Sequence, residues 1–521
     1  MHSCLRVDEI VRLVACELVA LRGHATSVAL ACCGKSFEDP VLDTLWEIQE
    51  DLLRLLKTLP GDVWKEGGCP VSSPTTRVSS SFNYFIQKSF ARLPTPPEWA
   101  RFRKYARRMR TLWGLGALAT LSLEMFSVLQ LRAISEPLFP NLKALILWTL
   151  TRESIPFFPL FLSPRITTIS IFFDSCPPAT VASIIADFPT LCPNLQDITL
   201  YSRPTDPMIT AAFSRMLLTS NKNTLRYFRV GSTLTEEARE VVYRLPDLWG
   251  LSVVIEGGTS LPTVILPNLV ELDIECDHDF HWLQGFRGAI FGKLASVTFF
   301  SDSKPIGDPL EAFVTVALTT SISATLSTLK FSTSLPWRPN YRSLLPLTRL
   351  QDLIMDSPCE RGCSSTIDDD IVSDIARAMP KLQYLRLGEA PCKTPAGVTA
   401  KGLAALAYYC LHLVTLNIHF QVATLDPSVI LGVAPDGEPS VPREGCALTD
   451  LDVGEISLPE GSTLAVASTL LRIFPHIRLI ESANETWEEV KNTINLSRRR
   501  LASGEELILA PPRKGTLDTL P

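Results

Sequence analysis

LPNLVELDI, from Leu266 to Ile274, decides how the rest of the chain reads. The same spelling returns as FPNLKALIL from Phe139 to Leu147, CPNLQDITL from Cys192 to Leu200 and MPKLQYLRL from Met379 to Leu387. In each copy apolar residues hold places one, four and six of an L-x-x-L-x-L frame, and a Pro stands two residues ahead. Self-similarity at a period of tens of residues signals a solenoid, so each frame predicts one short parallel strand per repeat.

The first place of the frame falls on Leu118, Leu142, Ile166, Leu195, Leu225, Leu248, Leu269, Leu294, Leu326, Leu350, Leu382, Leu413, Leu448 and, most loosely, Ile477. Short steps, such as Leu248 to Leu269, leave room for a strand and a tight return. Longer steps hold amphipathic helices: PATVASIIADF from Pro178, MITAAFSRMLL from Met208, TEEAREVVYRL from Thr235, DDDIVSDIARAM from Asp368 and TAKGLAALAYYC from Thr399. Asp368, Asp369 and Asp370 place negative charge at a helix N-terminus, where the macrodipole favours it. This pattern resembles leucine-rich repeats of the long, irregular kind. That resemblance implies an α/β horseshoe, with parallel strands on a concave face and helices on a convex face. Apolar places would point into the core and the places between them toward the concave surface. The Asn or Cys expected three residues beyond the frame is mostly replaced: Leu150, Arg203, Asp277 and Ala390 stand there.

The chain has 521 residues, 46% hydrophobic and 20% charged, enough to bury a large core. Its formal charge of −6 gives no footprint for general nucleic-acid binding. Charged Arg6, Asp8, Glu9 and Arg12 interrupt the first apolar stretch, which is unlike a signal peptide. The apolar run IPFFPLFL from Ile155 is too short to span a bilayer, so no membrane partner is expected. Thirteen irregularly spaced cysteines suit a reducing compartment, cytoplasmic or nuclear, with most thiols acting as small buried hydrophobes.

Ahead of the array, residues 1–60 predict a small helical unit. Val7, Ile10, Val11, Val14 and Leu18 make one helix face, Ser27 to Cys33 a short second helix, and Asp39-Pro40 the start of a third. Residues 61–98 are rich in Ser, Thr, Pro and Gly and predict a linker. Residues 99–117 predict a basic connecting helix, with Phe102, Tyr105, Met109 and Leu112 on one stripe. An import or phosphate-binding patch is the sharper reading of its Arg and Lys residues. The array then occupies 118–482, and 483–521 predict a charged, mobile tail.

Val7-Asp8-Glu9-Ile10, followed by ALACCGKSFEDPVLDTLW from Ala29 to Trp46, resembles the F-box-like N-terminus common in basidiomycete fungal proteins. The match covers about a tenth of the chain. Val7 stands where that pattern has Pro, and Gly34 stands near its Cys. The basic stretch from Trp99 resembles the segment that comes next in the same family. The resemblance implies a substrate-recognition adaptor of a Skp–cullin–F-box ubiquitin ligase. Ile10, Leu13, Phe37, Pro40, Leu42, Leu45 and Trp46 would dock on the Skp-family adaptor that joins the cullin ligase core, and the array would hold an unknown protein target. The alternative is a non-ligase scaffold whose N-terminal helices cap the solenoid.

No enzyme motif stands out: G-x-x-x-x-G-K-[ST], G-x-S-x-G, H-E-x-x-H and G-x-G-x-x-G are all absent. Cys276, Asp277, His278, Asp279 and His281 form the densest ligand-type cluster, and Cys359 and Cys363 a loose pair. Neither makes a four-ligand metal set by itself, so the expectation is no metal, no cofactor and no catalysis. The expected function is a binding surface. Tyr227, Arg229, Trp249, Glu271, Asp273, Phe300, Tyr384, Arg386 and Asp452 fall on or near concave-face places, and aromatic and Arg side chains there are the expected anchors. Glu271, Asp273, Asp352, Asp450 and Asp452 give the later repeats an acidic tendency, which points to a basic region in the partner.

Overall fold

A computed structural model of the chain describes residues 8–502 except 22, 71–83, 115–120, 134–135, 151, 153, 174–175, 203–205, 220–223, 256–263, 277–282, 284–285, 287, 303–307, 321, 338, 359–366, 389–396, 426–444, 455 and 483. It divides into two compact units, Met1–Val254 and Ile255–Pro521.

The first unit opens with helices Asp8–Ala20 (α1), His24–Cys32 (α2) and Lys35–Glu47 (α3), a strand Ile48–Gln49 (β1) and a helical turn Leu53–Leu56 (α4). Strands Trp64–Pro70 (β2) and Tyr84–Phe90 (β3) pair antiparallel ahead of helix Pro96–Ala106 (α5). The repeats then run Thr111–Gly114 (β4), Leu123–Ala133 (α6), Ala144–Leu150 (β5), Thr168–Phe173 (β6), Pro178–Leu191 (α7), Asp197–Ser202 (β7), Pro207–Thr219 (α8), Tyr227–Val230 (β8), Glu236–Val242 (α9) and Gly250–Ile255 (β9). Parallel pairing runs in the order β1-β4-β5-β6-β7-β8-β9.

In the second unit the short strands Ile265–Leu266 (β10) and Ile290–Phe291 (β12) pair with each other, on either side of Glu271–Cys276 (β11) in sequence. Then come Ser296–Ser301 (β13), Pro309–Thr319 (α10), Ile322–Thr325 (α11), Thr328–Thr333 (β14), Asp352–Asp356 (β15), Asp369–Ala378 (α12), Tyr384–Leu387 (β16), Ala400–Tyr409 (α13), Thr415–Ile418 (β17), Asp450–Asp452 (β18), Thr463–Ile473 (α14), Leu479–Glu481 (β19) and Trp487–Ala502 (α15). The strands β11, β13–β19 pair parallel in that order. This is the leucine-rich-repeat fold that the frame predicts.

The frame works because parallel pairing in register stacks like on like. Leu272, Val297, Leu329, Leu353, Leu385, Leu416, Leu451 and Ile480 are successive partners, all buried. Leu112, Leu145, Ile169, Ile198, Phe228 and Leu251 form the same column in the first unit. Burying one such side chain contributes roughly 1.5–3 kcal/mol, and the strands' alternating burial leaves their other face open. Of the frame's first places, all but Leu118 are described, and all those are buried.

The Pro ahead of the four best-spelled frames has a local cause. Leu142, Leu195, Leu269, Leu382 and Leu413 each donate their backbone N–H to the carbonyl three residues back, at 3.1–3.3 Å, closing a tight turn. Pro140, Pro193, Pro267 and Pro380 stand second in four of these turns, where a fixed φ helps and no N–H is required. The residue that opens the turn, such as Met379 or Cys410, is buried. Burial pushes the Cys410 thiol up to about 12, consistent with a small hydrophobe.

The helices start where their caps are. Thr235, Asp368 and Thr399 precede α9, α12 and α13, and each side chain accepts a backbone N–H of the first turn. Asp369 reaches into the next repeat, accepting from Thr399 N, Thr399 Oγ1 and Gly402 N at 2.8, 2.6 and 2.9 Å. A Cβ at Gly402 would come within 2.6 Å of that carboxylate, so the glycine is there for the close approach. The acidic run from Asp368 is therefore a capping device.

Four expectations change. The sheet starts before residue 118: Met109-Arg110-Thr111-Leu112-Trp113-Gly114 is itself a frame with Met and Gly in its outer places, and Leu118 lies outside the described residues. The third helix starts at Lys35, so Pro40 lies inside it and is buried. Within 61–98, β2 and β3 form a hairpin tied to the first repeats by a Lys88–Leu121 bridge. Glycines and a proline in β2 hide a strand that the β-favouring Tyr-Phe-Ile run of β3 pairs with. Within 483–521, α15 buries Trp487, Val490 and Ile494 on one face, and Trp487 Nε1 donates to the Ile456 carbonyl at 2.7 Å. Abundant charge masks that spacing; the helix closes the last repeat, and 503–521 lie outside the described residues.

Trp487→Ala should lower unfolding free energy by about 3–5 kcal/mol in urea denaturation. An unchanged midpoint would mean that α15 is not part of the folded core.

Candidate functional site

Two surfaces collect the residues singled out by sequence. The first is the N-terminal helical unit, whose core is Val11, Ala15, Phe37 and Val41 with Leu30, Ala31 and Leu45 packed against it. Phe37 and Pro40 are buried and cannot present their side chains to a partner; Leu42, Leu45 and Trp46 are half-buried. Ile10 is half-buried and Leu13 is 66% exposed. With Val14, and Leu21 just past the helix end, also exposed, these last two form a stripe beside that of Val11 and Ala15. Val28 on α2 is exposed too. Sequence reasoning placed Val14 with the helix's apolar face; the structure separates the buried stripe of α1 from the open one.

The other side of this unit is welded to the first repeat. The Trp46 and Tyr105 rings lie 4.8 Å apart, Arg110 N donates to the Glu47 carbonyl at 2.9 Å, and Ile48–Gln49 pairs with Thr111–Leu112. Gln49 takes the core place of the ladder. Its Nε2 donates to the Leu45 and Ile48 carbonyls at 2.8 Å each, ending the apolar column on a polar side chain. A Cβ at Gly114 would overlap the Glu50 carbonyl oxygen. The side chain of Arg108, 12% exposed, meets the carboxylates of Asp39 and Asp43. Burial opposes its charge, but those two acids hold its pKa above the ordinary value. Lys104 pairs with Glu38 at 3.1 Å, and Arg103 and Arg107 with Glu136 at 2.9 and 2.5 Å. Most of the basic stretch is thus paired within the unit, while Arg101 is exposed. Arg498 of α15 likewise donates to the Ile477 carbonyl at 3.0 Å.

The second surface is the open face of the sheet. In the second unit, Glu271, Asp273, Phe300, Tyr384, Arg386 and Asp452 all lie on it, half-buried as the alternation predicts. Asp273, Thr298, Lys330, Ile354, Arg386, Asn417, Asp452 and Glu481 form one row of cross-strand partners. Thr328 Oγ1 donates to Asp352 at 2.8 Å, and Asn417 donates to Asp452. Arg386 Nε lies 2.7 Å from Asp356 Oδ1 without being aimed at it, so the contact is Coulombic. Burial pushes the Asp356 carboxyl up, against the pull of Arg386 and Lys330.

In the first unit Tyr227 and Arg229 share the open face of β8. The guanidinium of Arg229 is 5.6 Å from the Tyr227 ring centre, and a Cβ at Gly250 would overlap that ring. Trp249 sits at frame place two, just before β9, and is 45% exposed. There Arg226 lies 5.6 Å from its ring centre, and Gln196, Thr224 and Asp247 line the same shallow pocket. Sequence reasoning missed Trp113, Phe172 and Tyr201, which are exposed on the open face or just beyond it; Phe172 and Tyr201 are cross-strand partners with ring centres 6.5 Å apart. Places five and seven of their frames carried the signal.

Of the metal candidates, Cys276 is buried in β11 and its thiol donates to the Phe300 carbonyl at 3.7 Å. Asp277, His278, Asp279, His281, Cys359 and Cys363 lie outside the described residues, among which no group of metal-ligating side chains occurs. No helix among the described residues is long and apolar enough to cross a membrane. His412 is exposed, whereas His419, just after β17, keeps Nδ1 buried without a partner among the described residues. Burial lowers its pKa from 6.5.

Arg108→Ala should destabilise the chain by about 1–3 kcal/mol in chemical denaturation, because Asp39 and Asp43 lose a charged donor; no change would mean the weld is superficial. The neutral form of His419 is favoured on folding, so its contribution is present above its unfolded pKa and is lost as pH falls through the lower folded value. In thermal melts across pH, His419→Asn should flatten that acid loss, and an unaltered profile would contradict the assignment.

No protein-family model matches the chain, and no curated protein matches it either. Among solved structures it is similar to the complex of Rad7 and Elc1 in yeast, at 12% identity and a TM-score of 0.34, over 73% of this chain and 77% of that one. It is also similar to the leucine-rich repeat-containing protein LegL7 from Legionella pneumophila, at 11% identity and a TM-score of 0.28, over 71% and 94%. The assignment of the fold rests on the frame and the ladder register.

Proposed function

We propose that the chain is a non-catalytic substrate-recognition adaptor of a Skp–cullin–F-box type ubiquitin ligase, acting in the cytoplasm or nucleus. Helices α1 and α2 dock on a Skp-family adaptor, and the open sheet faces hold a protein target. The supporting observation is that α1 carries two apolar stripes. One stripe packs in the core, while Ile10, Leu13, Val14 and Leu21 stay uncovered or half-covered. An apolar stripe on a helix normally faces a partner. This docking face is narrower than the sequence resemblance implies, because Phe37 and Pro40 are internal and Trp46 leans on Tyr105.

One observation favours a second reading, a non-ligase interaction scaffold whose helices cap the array. The weld at β1, Gln49 and Arg108 is what a cap requires. Both readings use different sides of the same unit, so they separate experimentally. Removing the first 60 residues would strip the sheet of β1 and unfold its edge; point substitutions are the cleaner probe.

The test is capture of a purified Skp-family adaptor by the full chain. Leu13→Glu with Leu21→Glu should abolish capture while changing stability by no more than about 0.5 kcal/mol, as exposed positions do. If the unaltered chain captures no adaptor, the ligase role is lost and the capped scaffold remains.

A further inference from the structure

We propose that the target side of the second unit takes a Lys/Arg-rich protein segment, laid on the open face of strands β16 to β19. This rests on the reading that the open sheet face holds the target, and it adds the chemistry of what is held. Across these strands the two open rows run Tyr384–Thr415–Asp450–Leu479 and Arg386–Asn417–Asp452–Glu481. Neighbouring strands lie about 4.8 Å apart, so Asp450, Asp452 and Glu481 fall within one side chain's reach of each other.

Among the described residues, cations on the face do not answer these acids. Arg386 lies against Asp356 on the opposite neighbour, its Nε 2.7 Å from Oδ1, and Lys330, on the strand beyond that one, acts on the same carboxylate. Asp452 accepts from the neutral side chain of Asn417 and from Gly454 N at 2.9 Å, and Asp450 from Thr449 Oγ1 at 3.0 Å. Neutral donors orient the carboxylates and leave their charge uncancelled. Tyr384, half-buried, stands two strands from Asp450 in the same row, and Leu479, 46% exposed, is the partner of Asp450 at the row's end. An aromatic face and an apolar side chain beside carboxylates suit a guanidinium or ammonium on its alkyl stem, through ion pairing, cation–π contact and burial of the methylenes. The mixture separates this face from an ordinary solvated acidic patch, and charge complementarity selects the partner. A phosphorylated or acidic segment would be repelled.

The experiment is fluorescence anisotropy with the full chain and a labelled peptide of alternating Arg and Ser, beside its Glu-Ser counterpart. Expected is saturable binding of the Arg-Ser peptide only, weakened by salt because the pairs are partly exposed. Asp450→Asn with Asp452→Asn and Glu481→Gln should weaken it about tenfold. A control carrying Glu236→Gln, Glu240→Gln and Glu460→Gln has the same net charge and should bind as the unaltered chain does. Should the triple variant melt early, Glu481→Gln alone, at an exposed position, should still weaken binding measurably. Absence of saturable binding, equal affinity in the face variants, or an equal loss in the control would each overturn the proposal. Adaptor capture is read on α1 and does not involve this face. Peptide failure with successful capture therefore rejects only the partner chemistry, and the reverse rejects only the ligase role.

Discussion

Within each unit the array depends on the register of its parallel ladder, which sets Leu385 between Leu353 and Leu416 and repeats that stacking strand after strand. Parallel strands cannot be joined by a hairpin, so every repeat must leave the sheet and return. The returns differ: α12 and α13 are full helices, while Ile155–Phe161 and Tyr341–Leu344 are short 3-10 turns. A recurrent element is the tight turn before the frame, closed by the N–H of the frame's first residue at Leu142, Ile166, Leu195, Leu269, Leu350, Leu382, Leu413 and Ile477. Where it occurs, that turn delivers the strand to its register whatever length of chain precedes it. Tolerance of irregular spacing is the consequence.

The first strand of the first unit and the last strand of the second would each expose apolar core, and both are closed by chain that composition makes look unstructured or separate. At the N-terminal end Gln49 enters the apolar column and turns its amide onto the Leu45 and Ile48 carbonyls. In the second unit Trp487 is wholly buried with its indole N–H satisfied. The helical unit is therefore a structural part of the first repeats as well as a candidate docking module. Its acids and the basic residues of 103–110 are matched partners, which explains an Arg-rich stretch in a chain of net charge −6.

The open faces of the two units differ in chemistry. The first offers Trp113, Phe172 and Tyr201 with Tyr227 and Arg229; the second offers carboxylates, with Tyr384 and Phe300 among them. Both patterns occupy the same frame places, because those places are free of packing demands and can be set by partners. Gly250 shows one exception: its missing side chain makes room for the Tyr227 ring, so packing reaches onto the open face there.

The sequence by itself determined the strand frame, its core places, the helix starts at Thr235, Asp368 and Thr399, and the open-face positions of Tyr384, Arg386 and Asp452. Each is a local signal: a period of two, a cap, or a turn proline. Only the tertiary structure decided where the array begins and ends, which side of α1 remains uncovered, and which charges are already paired. Met109, Gln49 and Trp487 are core residues only because a strand or repeat distant in sequence lies beside them. Phe37 and Leu13 are both apolar residues of matching helices, yet one is buried and the other two-thirds exposed. Burial and ion pairing are properties of neighbours brought together by folding, and a pattern read along the chain carries only the near ones.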